Sequence, residues 1–401
     1  MREHRAKLGV LFLIVFVDLI GFGMVIPLLP LYAETFQPSP LALGFLMASF
    51  SAMQFVFAPV LGRLSDRFGR RPILLTSLAG GVAGYLLLGF AASLPMLFVS
   101  RIVAGIAGAN ISTAQAVIAD ITGPEGRARG MGVIGAAFGL GFILGPAFGG
   151  LLYEHFGPGA PGLGAAATSA AALVLTWFLL PETLDPNQRD RAAHEPFTVA
   201  RLGRALAHPC LGLVLAIYFL TTAAFSGFEV TFAQFFSHKY AIGPKEVSYL
   251  LVGIGLVGAI VQGGLIGRLA GRFGETRLVA AGLVISGVCL GFVPYMPTLA
   301  LSGVALGVMA VGVGITNPSL SALASELADP DEVGGILGIY QGLSSLGRIV
   351  GPFTGELAYG VGPPWPLRLA SLAFLACAVA ALVLLARRRA GICDRPPGAS
   401  A

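Results

Sequence analysis

Stretches such as Leu163–Leu180, Leu278–Val293 and Leu369–Ala386 run almost continuously apolar, each roughly the length of the apolar centre of a membrane-crossing helix. A hydrocarbon interior offers no water to bare N–H and C=O groups, so such runs must close their hydrogen bonds as helices or as a sealed barrel. Barrel strands would alternate apolar and polar residues over about ten positions; these runs do not alternate. Composition points the same way. Hydrophobic residues make up 56% of 401 positions and charged residues 11%, where a soluble domain carries about a quarter charged. The 56 glycines suit helices that pack closely within a bilayer. The chain reads as an all-α, polytopic membrane protein.

Counting spans of about 20 residues places twelve transmembrane helices at 8–31, 41–61, 72–91, 95–118, 129–152, 163–181, 209–236, 246–267, 277–295, 298–323, 333–357 and 366–387. The longest polar interval, 182–208, separates six spans from six. This gives two pseudo-symmetric six-helix bundles, 1–181 and 209–387, a cytoplasmic linker 182–208 and a cytoplasmic tail 388–401. With the N-terminus inside, 20 of the 25 Lys+Arg fall on cytoplasmic segments. That bias predicts a multi-pass protein of the cell (inner) membrane with both termini cytoplasmic. The net charge of +5 is then a consequence of topology and implies no nucleic acid. Met1–Lys7 followed by Leu8–Val17 resembles a secretory leader, but no small-residue cleavage site follows and the first helix is expected to stay. Cys210, Cys289, Cys377 and Cys393 imply no disulfide and no metal spacing. No nucleophile triad, phosphate-binding loop, metal cluster or cofactor signature is present, which argues against an enzyme and for gradient-driven work.

The halves repeat. Gly62-Arg-Leu-Ser-Asp66-Arg67-Phe-Gly69 matches Gly267-Arg-Leu-Ala-Gly271-Arg272-Phe-Gly274 at an offset of 205 residues. Gly145-Pro146 with Gly149 matches Gly351-Pro352 with Gly355 at 206, and Asp120 sits opposite Glu326 at the same offset. Duplicated six-helix halves place a substrate site near the midplane between them and work by rocking.

These residues carry a family likeness. Gly62–Arg71, with Asp66, Arg67, Gly69, Arg70 and Arg71, resembles the signature loop of the major facilitator superfamily. Arg101-Ile-Val-Ala-Gly105 is similar to its second motif. Gly141-Phe-Ile-Leu-Gly145-Pro146-Ala-Phe-Gly149-Gly150 resembles the helix typical of its antiporters. Asp18-Leu-Ile-Gly21 through Pro27 and Pro30, and Asp120-Ile-Thr after helix 4, resemble tetracycline-resistance-type drug/proton antiporters. The likeness implies that Asp66, Arg70 and Asp120 form a cytoplasmic latch. The second copy, with Gly271 for the acid and Glu275 for Arg70, implies a weaker one. Physically, Asp66 suits the positive end of a following helix, and the helix 5 glycines permit close packing.

Charges at membrane depth each cost about 2.5–3.5 kcal/mol unless paired or hydrated. Asp18, about 15 Å into helix 1, is the first candidate for proton coupling, with Arg101 descending toward it. Glu229 and Arg348 occupy the comparable region of the second half; each could equally be structural. Glu356, near a helix end, is expected to be solvated. Gln54, Asn110, Gln115, Gln262, Asn317, Tyr340 and Gln341 either line a wet cavity or bond neighbouring helices, and Phe138, Phe225, Phe228 and Phe232 could wall it. Where the tetracycline exporters carry an acid in helix 3 this chain has Gly84, and Gly258 replaces a histidine of helix 8. The expectation is therefore export of small lipophilic or cationic compounds against protons, by a monomer. The alternatives are a symporter or uniporter for a sugar, lysolipid or other metabolite, and a non-transporting receptor or scaffold.

Overall fold

The computed structural model describes residues 2–184, 203, 205–328 and 333–394, excepting the side chains of 2–7, 111, 112, 119, 122–136, 138, 142, 263, 333–335 and 394. Most of the expected linker 182–208 and the end of the tail lie outside the described residues. Every regular element described is helical: α1 (Arg2–Val25), α2 (Leu29–Glu34), α3 (Pro40–Phe68), α4 (Arg70–Gly89), α5 (Leu94–Ala107), α6 (Ile111–Phe156), α7 (Ala160–Leu179), α8 (Leu211–Tyr240), α9 (Pro244–Ile260), α10 (Ile266–Phe273), α11 (Glu275–Phe292), α12 (Leu299–Glu326), α13 (Val333–Val361) and α14 (Trp365–Arg389). Among the described residues, nine spans are long and apolar enough to cross a membrane.

Local chemistry sets these boundaries. Proline opens α3, α5, α7 and α14 at the first or second position, where its missing N–H removes no helical bond. The Ser39 hydroxyl also caps α3 by accepting from the Ala42 amide at 3.2 Å. Pro27 splits the first expected span into α1 and α2, because a proline inside a helix clashes with the preceding turn. The expected loop from Gly62 to Arg71 shrinks to one residue, Gly69, at φ +108°.

Spans 95–118 and 129–152 are not separated by a loop; helical hydrogen bonding runs unbroken from Ile111 to Phe156. Asn110, just before α6, bonds Asp18 of α1. Yet a Cβ on Gly141 would lie only 2.8 Å from that of Leu19, the next residue of α1. Thirty-one residues of straight helix would separate the two by about 46 Å, so α6 doubles back between Ile121 and Gly141. The first of the two spans, Leu94–Ile118, is long and apolar enough to cross a membrane, and no irregular loop follows it. The span expected at 246–267 is likewise interrupted, by a π-turn at Val261–Leu265.

The chain divides into two compact units, Met1–His194 with Phe232–Gly255, and Glu195–Thr231 with Leu256–Ala401. In the first, Leu11, Ile14, Leu74, Leu78, Val117 and Ile118 form a buried cluster joining α1, α4 and α6. In the second, α11 packs against α12 and α14, burying Leu283, Leu290, Leu306 and Ala381 completely.

Two expectations are overturned here. Cys210 and Cys393 form a disulfide across 183 residues. Cys210 immediately precedes α8 and Cys393 lies in the short turn after α14, and the Arg387 guanidinium bonds the Pro209 carbonyl beside them. Counting cysteines by compartment does not register that these two chain ends meet. Glu356 is 1% exposed. It lies near the end of α13, but the adjacent Gly355 packs against Gly227 of α8, so this face of the helix turns into the bundle.

Candidate transport and coupling site

The deep acid of helix 1 is held within the first unit. Asp18 accepts a hydrogen bond from the Ser169 hydroxyl of α7 at 2.7 Å and another from the Asn110 side chain. Asn110 closes a three-residue 3-10 turn, Gly108–Asn110, between α5 and α6. Such a turn frees a carbonyl, and Gln54 of α3 meets that of Gly108 with its Nε2 at 2.8 Å. Gln54 and Asn110 thus both bond neighbouring helices. Tyr85 of α4 is 6% exposed and lies within electrostatic reach of both Asp18 and Arg101.

Arg101 neither snorkels nor pairs with Asp18. It is 2% exposed, its guanidinium stands 4.5 Å over the Phe50 ring, and its sealed Nε meets no acceptor. A cation over an aromatic face gains roughly 2 kcal/mol when desolvated, a partial offset for burial.

At the basic end of this unit, Arg70 is the hub. Its Nε donates to Asp120 at 3.1 Å, it pairs with Asp66, and one Nη donates to Ser65 at 2.8 Å. The Arg70 side chain is 7% exposed, against 13% for Asp66 and 19% for Asp120. Asp66 lies in the last turn of α3, not at the start of the next helix. The acid at that positive end is Glu182, whose carboxylate accepts from the amides of Arg70 at 2.9 Å and Arg71 at 3.2 Å. A side chain on Gly69 would overlap this carboxylate. Arg67 is exposed and stays outside the cluster, and a Cβ on Gly62 would meet nothing within 4 Å.

The second unit does not copy this arrangement. α10, which carries the repeat of the signature loop, has no buried residue. Glu326, the counterpart of Asp120, pairs with Arg388 at the end of α14, and Arg388 also donates to Thr276 at 3.1 Å. Glu229 lies within electrostatic reach of Arg348. Tyr340 stacks on Tyr218 with centroids 3.5 Å apart, and its hydroxyl donates to the Asn317 carbonyl at 3.4 Å. Asn317, Gln262 and Gln341 are exposed, Gln115 and Phe225 are half-buried, and Phe228 and Phe232 are buried. The Phe138 side chain lies outside the described residues.

The glycine helix does repeat. A Cβ on Gly145 would stand 2.6 Å from the backbone of Gly23, and one on Gly149 2.5 Å from the Met24 carbonyl. On α13, one on Gly355 would stand 2.5 Å from the Gly227 carbonyl and one on Gly347 3.0 Å from Thr222 of α8. Gly141 and Gly347, like Gly145 and Gly351, are 206 residues apart. Gly347 therefore adds a third glycine to the repeat. Gly150 faces Ser248 of α9, and Pro146 is buried. At the other end of the unit from Arg70, Gln234 donates to Glu34 at 2.8 Å, with His238 3.7 Å from the same carboxylate, and Lys245 pairs with Glu154 at 3.4 Å.

Glu182, Ser169 and Tyr85 are the residues that sequence reasoning passed over. Tyr85 had a signal, a phenol in an apolar helix; the other two carry none without their partners.

A bundle of membrane-crossing helices with buried charge clusters and a duplicated glycine seam defines a helical membrane transporter. The family model of the Major Facilitator Superfamily matches residues 11–352 and 214–392, and the chain belongs to that superfamily. It is 32% identical to the class G tetracycline resistance protein of Vibrio anguillarum, over 93% of this chain and 96% of that one. It is 29% identical to multidrug resistance protein 2 of Bacillus subtilis (strain 168), over 94% of each. Among solved structures it resembles the human organic anion transporter MFSD10, with 26% identity, a TM-score of 0.71 and coverage of 94% of this chain and 99% of that one.

Proposed function

We propose that the protein exports small lipophilic or cationic compounds across the inner membrane in exchange for protons, as a monomer with both termini in the cytoplasm. The observation that carries this is Asp18, a carboxylate at membrane depth held by one hydroxyl and one amide and, among the described residues, paired with no cation. Both bonds are to neutral donors, so protonation breaks no ion pair and the group can load and release a proton as access alternates. Tyr85, between Asp18 and Arg101 electrostatically, couples the acid to the buried cation. The Asp66–Arg70–Asp120 cluster acts as the latch on the cytoplasmic side, and the weaker second copy makes the cycle asymmetric. Gly84 supports a substrate other than tetracycline. A Cβ there would sit 2.9 Å from the Ala104 amide, leaving no room for an acid on this backbone.

One observation favours a second substrate class. Arg101 is a buried cation that the described residues do not neutralise with a carboxylate, and a relative of known structure transports organic anions. The test is purified protein in liposomes under an imposed pH gradient, given a cationic and an anionic dye, with Asp18→Asn alongside. Countertransport of the cationic dye that collapses in Asp18→Asn supports the proposal. Anionic dye transport lost in Arg101→Gln moves the substrate to the second class. Flux indifferent to the gradient and to Asp18→Asn overturns proton coupling.

A further inference from the structure

The first unit carries a groove of about 520 Å³ on its surface, between α4 and α7, with neither Asp18 nor Arg70 in its lining. Leu75, Thr76 and Ala79 of α4 form one wall; Val174, Trp177 and Phe178 of α7 form the other. With Leu173 the lining carries two polar side-chain groups, the Trp177 indole N–H and the Thr76 hydroxyl, and the hydroxyl is committed to the carbonyls of Pro72 and Ile73. Trp177 and Phe178 are 59% and 77% exposed. On two membrane-crossing helices, such a cleft faces hydrocarbon.

One turn before Leu75, at the basic end of the groove, stands Arg71. One Nη donates to the Trp177 carbonyl at 2.6 Å, the guanidinium lies 5.5 Å from the Trp177 ring, and its Nε is sealed from solvent without an acceptor. Trp177 thus fixes the guanidinium at the mouth of the groove. Among the described residues no carboxylate forms an ion pair with it. Glu182 spends its carboxylate on the amides of Arg70, Arg71, Thr183 and Leu184. A positioned cation, an interfacial tryptophan and an apolar channel running toward the membrane centre share one helix pair.

The geometry points to a site for an anionic phospholipid: an acyl chain lies in the α4–α7 groove and the headgroup phosphate meets the Arg71 guanidinium. Guanidinium suits phosphate through paired, charge-assisted hydrogen bonds, and the basic membrane face is where anionic lipid attracts arginine. The groove is built on α4, whose first residues hold the Asp66–Arg70–Asp120 cluster, so an occupied groove braces that end of the helix.

Native mass spectrometry of the full chain, released from detergent supplemented with phosphatidylglycerol or phosphatidylcholine of the same acyl chains, tests the site. The native protein retains phosphatidylglycerol over phosphatidylcholine. Arg71→Gln reduces phosphatidylglycerol retention about tenfold, the weight of one charged contact, Arg71→Lys reduces it less, and Val174→Trp, which fills the groove but keeps the cation, reduces it comparably. Millimolar inorganic phosphate leaves the lipid bound. Equal retention of the two lipids by the native protein overturns the proposal, as does undiminished phosphatidylglycerol on Arg71→Gln or Val174→Trp. Displacement by phosphate alone also overturns it, by reducing the site to a simple anion contact. Thermal unfolding of each variant separates loss of the site from loss of the fold. No transport is measured, so the outcome stands apart from that of the exporter reading.

Discussion

Replacing Gly145 with alanine tests the seam on which the coupling acid rides. The added methyl would lie 2.6 Å from Cα and C of Gly23, and 2.8 Å from the Ile20 carbonyl oxygen. Ordinary contact for a Cβ begins at 3.4 Å, so α1 and α6 must part by about 0.8 Å. Backbone atoms cannot swing aside as a side-chain tip can, and a gap of that size forfeits about a quarter to a half of each dispersion contact along the seam. Overpacking of this kind costs about 1–3 kcal/mol. Gly139 on the same helix is the matched control: a Cβ there meets nothing within 4 Å, and alanine gains up to about 1 kcal/mol over glycine in a helix interior. The two substitutions are chemically identical and opposite in expected sign. Thermal unfolding of the purified protein by tryptophan fluorescence reads the difference. The chain has two tryptophans, so Trp365→Phe leaves Trp177 of α7 as the reporter for this unit. At about 2–4 °C per kcal/mol, Gly145→Ala lowers the transition by several degrees while Gly139→Ala holds or raises it. Displacement of α1 also pulls Asp18 from Ser169, so pH-driven transport falls in Gly145→Ala only. Equal shifts for the two variants, or a normal transition in Gly145→Ala, refute the seam as described.

Arg70→Met leaves the Asp66 and Asp120 carboxylates facing each other with their common cation gone; removing one partner of a buried pair costs about 3–5 kcal/mol, discounted toward the lower figure by the partial exposure of both acids. Arg70→Lys keeps the charge but cannot reach Ser65, Asp66 and Asp120 together, and its unfolding transition falls between the native and Arg70→Met values. For the disulfide, peptide mapping without reductant recovers Cys210 and Cys393 as one linked fragment, which Cys393→Ser abolishes; finding both thiols alkylated in protein kept from air and reductant refutes the link.

Helices and the internal repeat were legible in the sequence because they depend on local pattern: apolar runs of one length, prolines at helix starts, and a motif returning after 205 or 206 residues. So was the gathering of Asp66, Arg70 and Asp120, because a family resemblance supplied a contact that spacing alone does not. The rest depends on rotation and on distant partners. Glu356 was placed correctly along its helix, yet its angle around the axis is set by Gly355 against Gly227. Ser169 meets Asp18 across 151 residues, and one hydroxyl in an alanine-rich helix has no pattern to betray it. Glu182 stood in a polar interval and read as linker; its role exists only once α4 presents bare amides to it. The reversal within α6 was hidden for the opposite reason, since its residues keep helical bonding through the bend.

The bond between Cys210 and Cys393 closes residues 210–393 into a covalent ring. A strand break anywhere between those residues would leave a single molecule on a denaturing gel, parting into two only after reduction. Within that ring the order of the helices is no longer tied to where the chain begins, so new termini opened in one of its connections would preserve every helix neighbour. No such closure joins the described residues before Cys210, and the same cut there would release a fragment.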